Sequence, residues 1–292
     1  MKKVGSILVA IERGGNSQQV VAKAVALARR LGARLELFLG NGEHAYVQRH
    51  QYDRSAVASV REACLADSRI YLQQLWASLA IGDVPVTMDA ACESPGYVGI
   101  VHKVRHSAPD LVIRGMSEGR HGAGRALEPG DWELVRTCPA PLLLTRGKPW
   151  KESPALAAAI DIAAEESSTL TRAILRAAGR LAIECQGTLD VIYAHPLAPA
   201  TPERIASDRA ALAERARDAS VQPRELFVVG GEGAAAIPRF VARHGYDLVA
   251  LGALTHRKSL TALVGTLTGR LIESLESDVL LVKPPSYRSP VR

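Results

Sequence analysis

Short apolar runs alternate with amphipathic segments along the whole chain. The first run, Ile7–Ile11, precedes a segment from Val20 to Leu31 in which apolar residues recur at spacings of three and four. Continuous apolar runs of this length are typical of strands buried on both faces of a parallel sheet. Apolar residues at spacings of three and four are typical of helices that pack on such a sheet. The pattern therefore predicts an α/β protein with doubly wound parallel sheets.

The alternation predicts five strands and four helices in each half of the chain. In the first half the strands are predicted at Ile7–Ile11, Arg34–Leu39, Val84–Ala91, Asp110–Gly115 and Pro141–Arg146. In the second half they are predicted at Leu156–Ile160, Thr188–Ala194, Arg224–Val229, Asp247–Gly252 and Asp278–Lys283. We expect Ser17, and either Ser167 or Ser168, to cap the first helix of each half, with Gly32 and Gly187 ending these helices.

The second half repeats the first. The phrase Asp110-Leu111-Val112 returns as Asp247-Leu248-Val249, and Pro141–Arg146 corresponds to Asp278–Lys283, both at an offset of 137 residues (247 minus 110). Two matches at one offset mean that the intervening segment has the same length in both copies. The sequence therefore predicts two tandem domains, residues 1–147 and 154–292, joined where glycine and proline residues interrupt both periodicities.

Composition limits the classes of function. The chain is 47% hydrophobic and 23% charged, as in ordinary globular proteins, and no apolar run reaches the roughly 18 residues of a membrane span. The net charge of +6 is spread over single arginines and only 4% of residues are aromatic, which argues against nucleic-acid binding. The first apolar run is too short for a signal peptide, so we expect a cytoplasmic protein without membrane attachment.

The sequence offers no motif of a catalytic or metal site. It has no recognisable Ser-His-Asp arrangement, zincin motif or matched carboxylate pair, and His195-Pro196 is interpreted as a turn rather than a catalytic base. The four cysteines, Cys64, Cys92, Cys138 and Cys185, lack CxxC spacing and are interpreted as small buried hydrophobic residues. We therefore assign no catalytic residue and no metal ligand.

Candidate ligand-binding residues follow the first and fourth strands of the second half. Ligands of doubly wound sheets bind at the carboxyl ends of the strands, near the point where the strand order reverses. The residues placed there are Asp161 and the segment from Gly252 to Thr266. A glycine at a strand end lets a ligand approach the backbone, and Gly265-Thr266, which opens the last helix, would offer N–H groups and a hydroxyl to a phosphate.

This segment resembles the ATP-binding loop of the universal stress proteins, Gly-x2-Gly-x9-Gly-Ser/Thr. The spacing is kept here by Gly252, Thr255 and Gly265-Thr266, and the flanking strands are similar as well. The segment Pro129–Trp132 and the Lys-Pro-Trp linker resemble the tandem members of that family. The resemblance covers both halves and implies two five-stranded domains, similar to the adenine-nucleotide α-hydrolase fold and related by a pseudo-twofold axis.

Carried over position by position, the resemblance implies a pocket for ATP or AMP in the second half. Asp161 and Ala194 would lie beside the adenosine. The phosphates would be surrounded by loop residues, namely Leu251 and Gly252 through their backbone, then Thr255, Gly265 and Thr266. Thr255 replaces the family's second glycine, and a β-branched residue there would cost about 1–2 kcal/mol if the backbone must be left-handed.

The first half departs further from the family's pattern. At the same offset Glu118 replaces Thr255, and Glu128-Pro129 replaces Gly265-Thr266. A carboxylate repels phosphate and proline lacks an N–H donor, so we predict that the first copy does not bind ATP. The segment also contains four glycines without a Gly-Lys-Ser/Thr motif, which we interpret as a flexible connection: Gly115, Gly119, Gly122 and Gly124.

The leading hypothesis is a non-enzymatic regulatory protein of the stress response that binds a small ligand or a partner protein. One alternative is an ATP-hydrolysing or nucleotide-transferring enzyme of the same superfamily, and another is a protein that binds an apolar or lipid-like metabolite. Universal stress proteins pair through their final strands across a dimer. The resemblance therefore implies that Pro141–Arg146 and Asp278–Lys283 pair within the chain, as an intramolecular pseudo-dimer.

Overall fold

The computed structural model describes residues 3–14, 16–41, 54–79, 81–116, 127–162, 168–196, 201–253 and 266–291. These residues form two compact units. The first contains the described residues before 117, Leu127–Leu142 and the residues from Ser289 onward, and the second contains Leu143–Arg288. Every helix in the described ranges is too short or too polar to cross a lipid bilayer.

The first unit alternates strands and helices. Its elements are β1 (Ser6–Ile11), α1 (Ser17–Leu31), β2 (Arg34–Asn41), α2 (Arg54–Ser78), β3 (Val86–Cys92), α3 (Gly96–Ser107), β4 (Leu111–Gly115) and α4 (Pro129–Thr137). The strands lie side by side in the order β3-β2-β1-β4, and the pairs β1–β2, β1–β4 and β2–β3 are parallel. A further strand, β5 (Leu142–Thr145), begins in this unit and continues into the second.

The second unit repeats this arrangement. Its elements are β6 (Ala155–Ala159), α5 (Ser168–Glu184), β7 (Thr188–His195), α6 (Pro202–Asp218), β8 (Glu225–Gly230), α7 (Gly233–His244), β9 (Leu248–Gly252), α8 (Thr266–Ser274) and β10 (Asp278–Val282). The strand order is β8-β7-β6-β9-β10, with four parallel pairs. The predicted tandem of doubly wound α/β domains is confirmed, while the domain limits at 147 and 154 stay predictions.

The central strands form the buried core of each unit. The apolar runs of β1, β4 and β9 are almost entirely buried, as a sheet covered by helices on both faces requires. Helix α3 packs against α4, α5 against α6, and α7 against α8. In this strand order, right-handed crossovers place the first two helices of a unit on one face and the last two on the other.

The aspartate of the repeated Asp-Leu-Val phrase anchors the start of the first strand in each unit. Asp110 Oδ2 accepts hydrogen bonds from the backbone N–H groups of Gly5 (2.9 Å) and Ser6 (3.1 Å) and from the Ser6 hydroxyl (3.0 Å). In the second unit Asp247 Oδ2 accepts from the N–H of Ala155 at 2.9 Å. The repeated aspartate therefore fixes the first strand against the fourth at their amino-terminal ends.

The predicted N-cap of α1 is wrong. The capping position is Asn16, and Ser17 is the first helical residue. The Ser17 hydroxyl instead donates to the backbone oxygens of Glu12 (2.5 Å) and Gly14 (2.6 Å). At the other end the prediction is confirmed, because Gly32 has a left-handed backbone with φ of 61°.

The role predicted for Gly187 at the end of α5 is also wrong. The left-handed residue there is Gln186, with φ of 53°. Gly187 serves a different purpose, because a Cβ at this position would lie 2.3 Å from the backbone oxygen of Pro154. The glycine permits close contact between the turn after α5 and the segment that enters β6.

The cysteines divide into two groups. Cys138 and Cys185 are buried, as predicted, whereas Cys64 and Cys92 are partly exposed. The interpretation of all four as buried hydrophobic residues therefore holds for two of them.

We expect Asp110→Ala to lower the free energy of unfolding by about 2 kcal/mol, because two backbone N–H groups lose their acceptor. Asp110→Asn keeps an acceptor oxygen and should lose about half as much. Urea denaturation followed by circular dichroism measures both changes. Asp218→Ala, which removes an exposed aspartate at the end of α6, is the control. If Asp110→Ala proved as stable as this control, the anchoring role would be refuted.

Candidate functional site

The sheet of the second unit brings its predicted site residues to one edge. This holds for the site residues that the structure describes. Ala158 pairs with Ala250, so Asp161 and Gly252 both lie just beyond this pair, toward the carboxyl ends of β6 and β9. Ala194 is the penultimate residue of β7, the other neighbour of β6. The sheet therefore brings Asp161, Ala194, Leu251 and Gly252 to the edge at which doubly wound folds bind ligands.

Small groups surround Ala194. A Cβ built on Gly233, the first residue of α7, would lie 3.5 Å from the Ala194 Cβ and 3.4 Å from Leu267 Cδ1 of α8. Leu267 is 47% exposed, which is unusual for a leucine in the first turn of a helix that packs on a sheet. On this face of the edge, a small side chain, a helix start and an exposed leucine lie together.

Close packing against a helix requires a glycine at the end of β9. A Cβ on Gly252 would lie 2.9 Å from Leu170 Cδ2 of α5. The same holds in the first unit, where a Cβ on Gly115 would lie 2.5 Å from Val20 Cγ2 of α1. The repeated glycine lets the first helix of each unit approach the fourth strand, whether or not a ligand is bound.

Three of the predicted phosphate-binding residues lie at the limit of the described structure. Thr255 and Gly265 fall outside the described residues, and Thr266 begins α8. Two residues further on, the Thr268 hydroxyl donates to the backbone oxygen of Gly252 at 2.9 Å. The first turn of α8 is thereby attached to the end of β9, and this carbonyl already has a donor.

The opposite face of β7 carries a buried polar cluster. His195 is the last residue of this strand, so that His195-Pro196 ends a strand, and it is 5% exposed. Its Nε2 lies 3.8 Å from Oδ2 of Asp208, a residue of α6 that is 4% exposed. Burial, and then the charges of Asp161 and Asp208, raise the pKa of the Tyr193 hydroxyl. Side chains of the protein thus fill this face, and Ala194 points to the other.

In the first unit an arginine lies across the corresponding edge. Arg114 of β4 donates from Nε to Asp131 Oδ1 of α4 at 2.8 Å and from Nη2 to Glu12 Oε2 at 2.9 Å. Arg114 Nη1 donates to the backbone oxygen of Ala10 at 3.3 Å, and only 11% of the arginine side chain is exposed. Glu12 follows β1, so this ion-pair triad spans the ends of β1 and β4, where the strand order reverses.

Negative charge exceeds positive charge at this position. Asp131 is 2% exposed, and burial raises the pKa of its carboxyl group. The nearby charges of Glu12 and Glu128 also raise this pKa, whereas Arg114 lowers it. Two carboxyl groups bonded to one guanidinium, with the charge of Glu128 acting on Asp131, form an environment that repels a phosphate.

The described residues of the second unit form no such triad. At the offset of 137, Arg114 corresponds to Leu251 and Asp131 to Thr268, and the residue after the first strand is Asp161 instead of Glu12. Leu251 is 3% exposed and joins the apolar core. The two units therefore differ at their strand-reversal points, with a charged triad in the first and an apolar residue in the second.

In the first unit the carboxyl end of β2, which corresponds to that of β7, is closely packed against a helix. Gly40 and Gly96 occupy the places of Ala194 and Gly233. A Cβ on Gly40 would lie 2.6 Å from the Gly96 backbone oxygen and 2.9 Å from Ile100 Cγ1. Helix α3 thus begins directly against the end of β2, where even an alanine would not fit.

Sequence reasoning missed the Arg114 triad. The triad could have been inferred from two aligned positions at which the copies differ together. The first copy has Arg114 where the second has Leu251, and Asp131 where the second has Thr268. An arginine and an aspartate that appear together in only one of two aligned copies indicate a contact, since either alone would be a buried charge without a partner.

We expect Arg114→Leu to lower the free energy of unfolding by about 3 kcal/mol, because Asp131 would remain as a buried charge without its partner. The double variant Arg114→Leu/Asp131→Thr, which introduces the residues of the second unit, should recover at least half of this loss. Urea denaturation of both variants and of Asp131→Thr completes a double-mutant cycle. Additive losses would contradict a coupled ion pair.

Comparison with known proteins identifies the fold family. The sequence profile of the universal stress protein family matches residues 3–146 and again 156–283. Universal stress protein E of Salmonella typhi is 22% identical over 98% of this chain and 96% of its own length. Universal stress protein E of Escherichia coli strain K12 has the same identity and the same coverage.

A solved structure agrees with this comparison. The crystal structure of a universal stress protein from Archaeoglobus fulgidus superposes with a TM-score of 0.68 at 12% identity, covering 97% of this chain and 99% of that one. The two successive profile matches confirm the tandem arrangement. With two copies of its domain spanning nearly the whole sequence, the chain belongs to the universal stress protein family.

Proposed function

We propose that this chain is a non-enzymatic regulatory protein of the stress response whose second unit binds an adenine nucleotide, ATP or AMP. The nucleotide would lie at the carboxyl edge formed by β6, β7 and β9. The first unit would not bind nucleotide and would contribute a stable domain to the tandem.

The contrast between the two strand-reversal points carries this proposal. In the first unit the guanidinium of Arg114 and the carboxylates of Glu12 and Asp131 occupy the place where a ligand would bind. The second unit has Leu251 and Thr268 at the aligned positions, with the leucine packed into the core. Among the described residues, the positions aligned with Arg114 and Asp131 therefore carry no charge in the second unit.

The polar groups at the second edge suit the parts of a nucleotide. Asp161 is exposed and can accept hydrogen bonds from ribose hydroxyls or an adenine amino group. Ala194 and the exposed side chain of Leu267 offer an apolar surface to a base. Helix α8 starts at Thr266, and the free N–H groups of a helix N-terminus attract phosphate.

The proposal favours binding without hydrolysis. His195 is the nearest histidine in the described strands of this unit, but it neighbours Ala194 in β7 and therefore points to the opposite face. It is buried beside Asp208 and cannot reach a phosphate that lies near the start of α8. His195 therefore cannot act as the general base for ATP hydrolysis at this edge.

We expect isothermal titration calorimetry to give one bound ATP or AMP per chain. Asp161→Ala should raise the Kd about tenfold, equal to 1.4 kcal/mol, because it removes an acceptor at the nucleotide. Asp218→Ala removes the same charge from an exposed position on α6 and should leave the Kd unchanged. Two nucleotides per chain, or equal effects of the two variants, would contradict the assignment to the second unit.

Two further measurements separate the alternatives. Release of ADP at a steady rate during incubation with ATP would favour the hydrolysing enzyme. Mass spectrometry of molecules released from the purified protein would identify an acyl compound if the site takes an apolar metabolite. Recovery of AMP or ATP without turnover is the result expected from the proposal.

A further inference from the structure

The second unit has a cavity at the opposite end of its sheet from the nucleotide edge. The cavity has a volume of about 510 Å³, within the usual range of small-molecule sites. Its walls come from the segment Lys148–Lys151, the last two turns of α7, and the turn between α8 and β10. Asp247, which precedes β9, and Asp278, which opens β10, lie in its wall. No residue of the proposed nucleotide site contributes to it.

The frame of the cavity is held by hydrogen bonds. The Trp150 indole N–H donates to Asp278 Oδ2 at 2.8 Å. Lys151 donates from its backbone to Asp247 Oδ1 at 3.2 Å and from Nζ to the backbone oxygen of Gly245 at 2.5 Å. These bonds fix the segment that precedes β6 against the end of α7 and the start of β10, so the cavity is shaped before any ligand binds.

The two aspartates in the wall are already engaged. Asp278 Oδ1 accepts from the Thr145 hydroxyl (3.1 Å) and the Arg146 backbone N–H (3.0 Å), besides the bond from Trp150. Asp247 accepts from Ala155 and has Lys151 Nζ 3.7 Å away. Their charges are therefore balanced by donors within the unit and are not available to a ligand.

Part of the cavity lining is apolar and includes an indole ring. Trp150 is partly exposed, and its ring lies with Pro238, Val241 and Tyr246 around the cavity. The Tyr246 hydroxyl donates to Asp190 Oδ2 at 2.8 Å, so this residue adds no available hydroxyl to the cavity. The indole ring favours a planar apolar ligand, and the proline adds apolar surface beside it.

Two opposite charges at the cavity have no ion-pair partner among the described residues. Arg239 is exposed and donates from Nε to the Ala235 backbone oxygen at 2.9 Å, which leaves its terminal nitrogens for a ligand. Glu276 is exposed on the turn before β10. Ser277 beside it has a buried hydroxyl oxygen that receives no hydrogen bond from the described residues. Arg239 and Glu276 therefore offer a cation and an anion to a ligand.

We propose that this cavity binds a small molecule with a planar apolar body that carries both a carboxylate and an amino group. The carboxylate pairs with Arg239, the amino group pairs with Glu276, and the planar body packs against Trp150 and Pro238. The site is independent of the nucleotide edge, and the second unit thus carries a second ligand site at its opposite end.

Three probes of nearly the same shape test this assignment by calorimetry. Tryptophan carries both charged groups, indole-3-propionate lacks the amino group, and tryptamine lacks the carboxylate. We expect tryptophan to bind at least fivefold more tightly than either of the others. Absence of binding by all three at millimolar concentration, or tighter binding of tryptamine or indole-3-propionate, would overturn the proposal.

Two charge variants assign the contacts. Arg239→Gln should weaken tryptophan binding at least fivefold and leave tryptamine unchanged, whereas Glu276→Gln should weaken tryptophan and leave indole-3-propionate unchanged. Arg217→Gln and Glu214→Gln, both exposed on α6 and outside the cavity, are the matched controls. Equal effects of the cavity and control variants would refute the site, and ATP binding should stay unchanged in all four.

Discussion

The architecture of each unit depends on the hydrogen bonds that the aspartate of the repeated phrase makes to the start of the first strand. In a parallel sheet the register decides which residues arrive together at the carboxyl edge, and a slip of one residue would turn every side chain to the other face. Asp110 and Asp247 fix that register at the amino-terminal end, through bonds to Ser6 and Ala155. The same bonds therefore determine, one strand length away, that Arg114 meets Glu12 and that Leu251 and Asp161 both lie at the carboxyl edge of the second unit.

The two copies have diverged at the place where ligands bind in this fold. A buried arginine needs carboxylates around it, so Arg114, which aligns with Leu251, is accompanied by Asp131, which aligns with Thr268. In the second unit the corresponding threonine, Thr268, bonds to the end of β9 and leaves no charge to be neutralised. The first unit thus fills its edge with an internal ion-pair triad, and the second keeps an edge suited to an external ligand.

Periodicity and the repeat sufficed to predict the strands, because strands buried on both faces must be continuously apolar. Contacts between side chains from different elements were beyond that reasoning. The pairing of Arg114 with Asp131 depends on how α4 packs on β4. The left-handed Gln186 arises because the glycine is needed one residue later, against Pro154. Burial against α6 extends β7 to His195, beyond the predicted end. Thr255, Gly265 and the pairing of the final strands stay predictions.

Helix direction explains why the two ends of the second unit suit different ligands. Parallel strands joined by helices place every helix N-terminus at the carboxyl edge and every helix C-terminus at the other. The carboxyl edge therefore carries partial positive charge, which favours phosphate. At the amino edge the C-terminal carbonyls need donors, and two basic residues supply them, Lys151 at Gly245 and Arg146 at Ile272. With these two cations engaged in capping, the cavity at this end still presents both a cation, Arg239, and an anion, Glu276, and a molecule of balanced charge fits that end better than an anion.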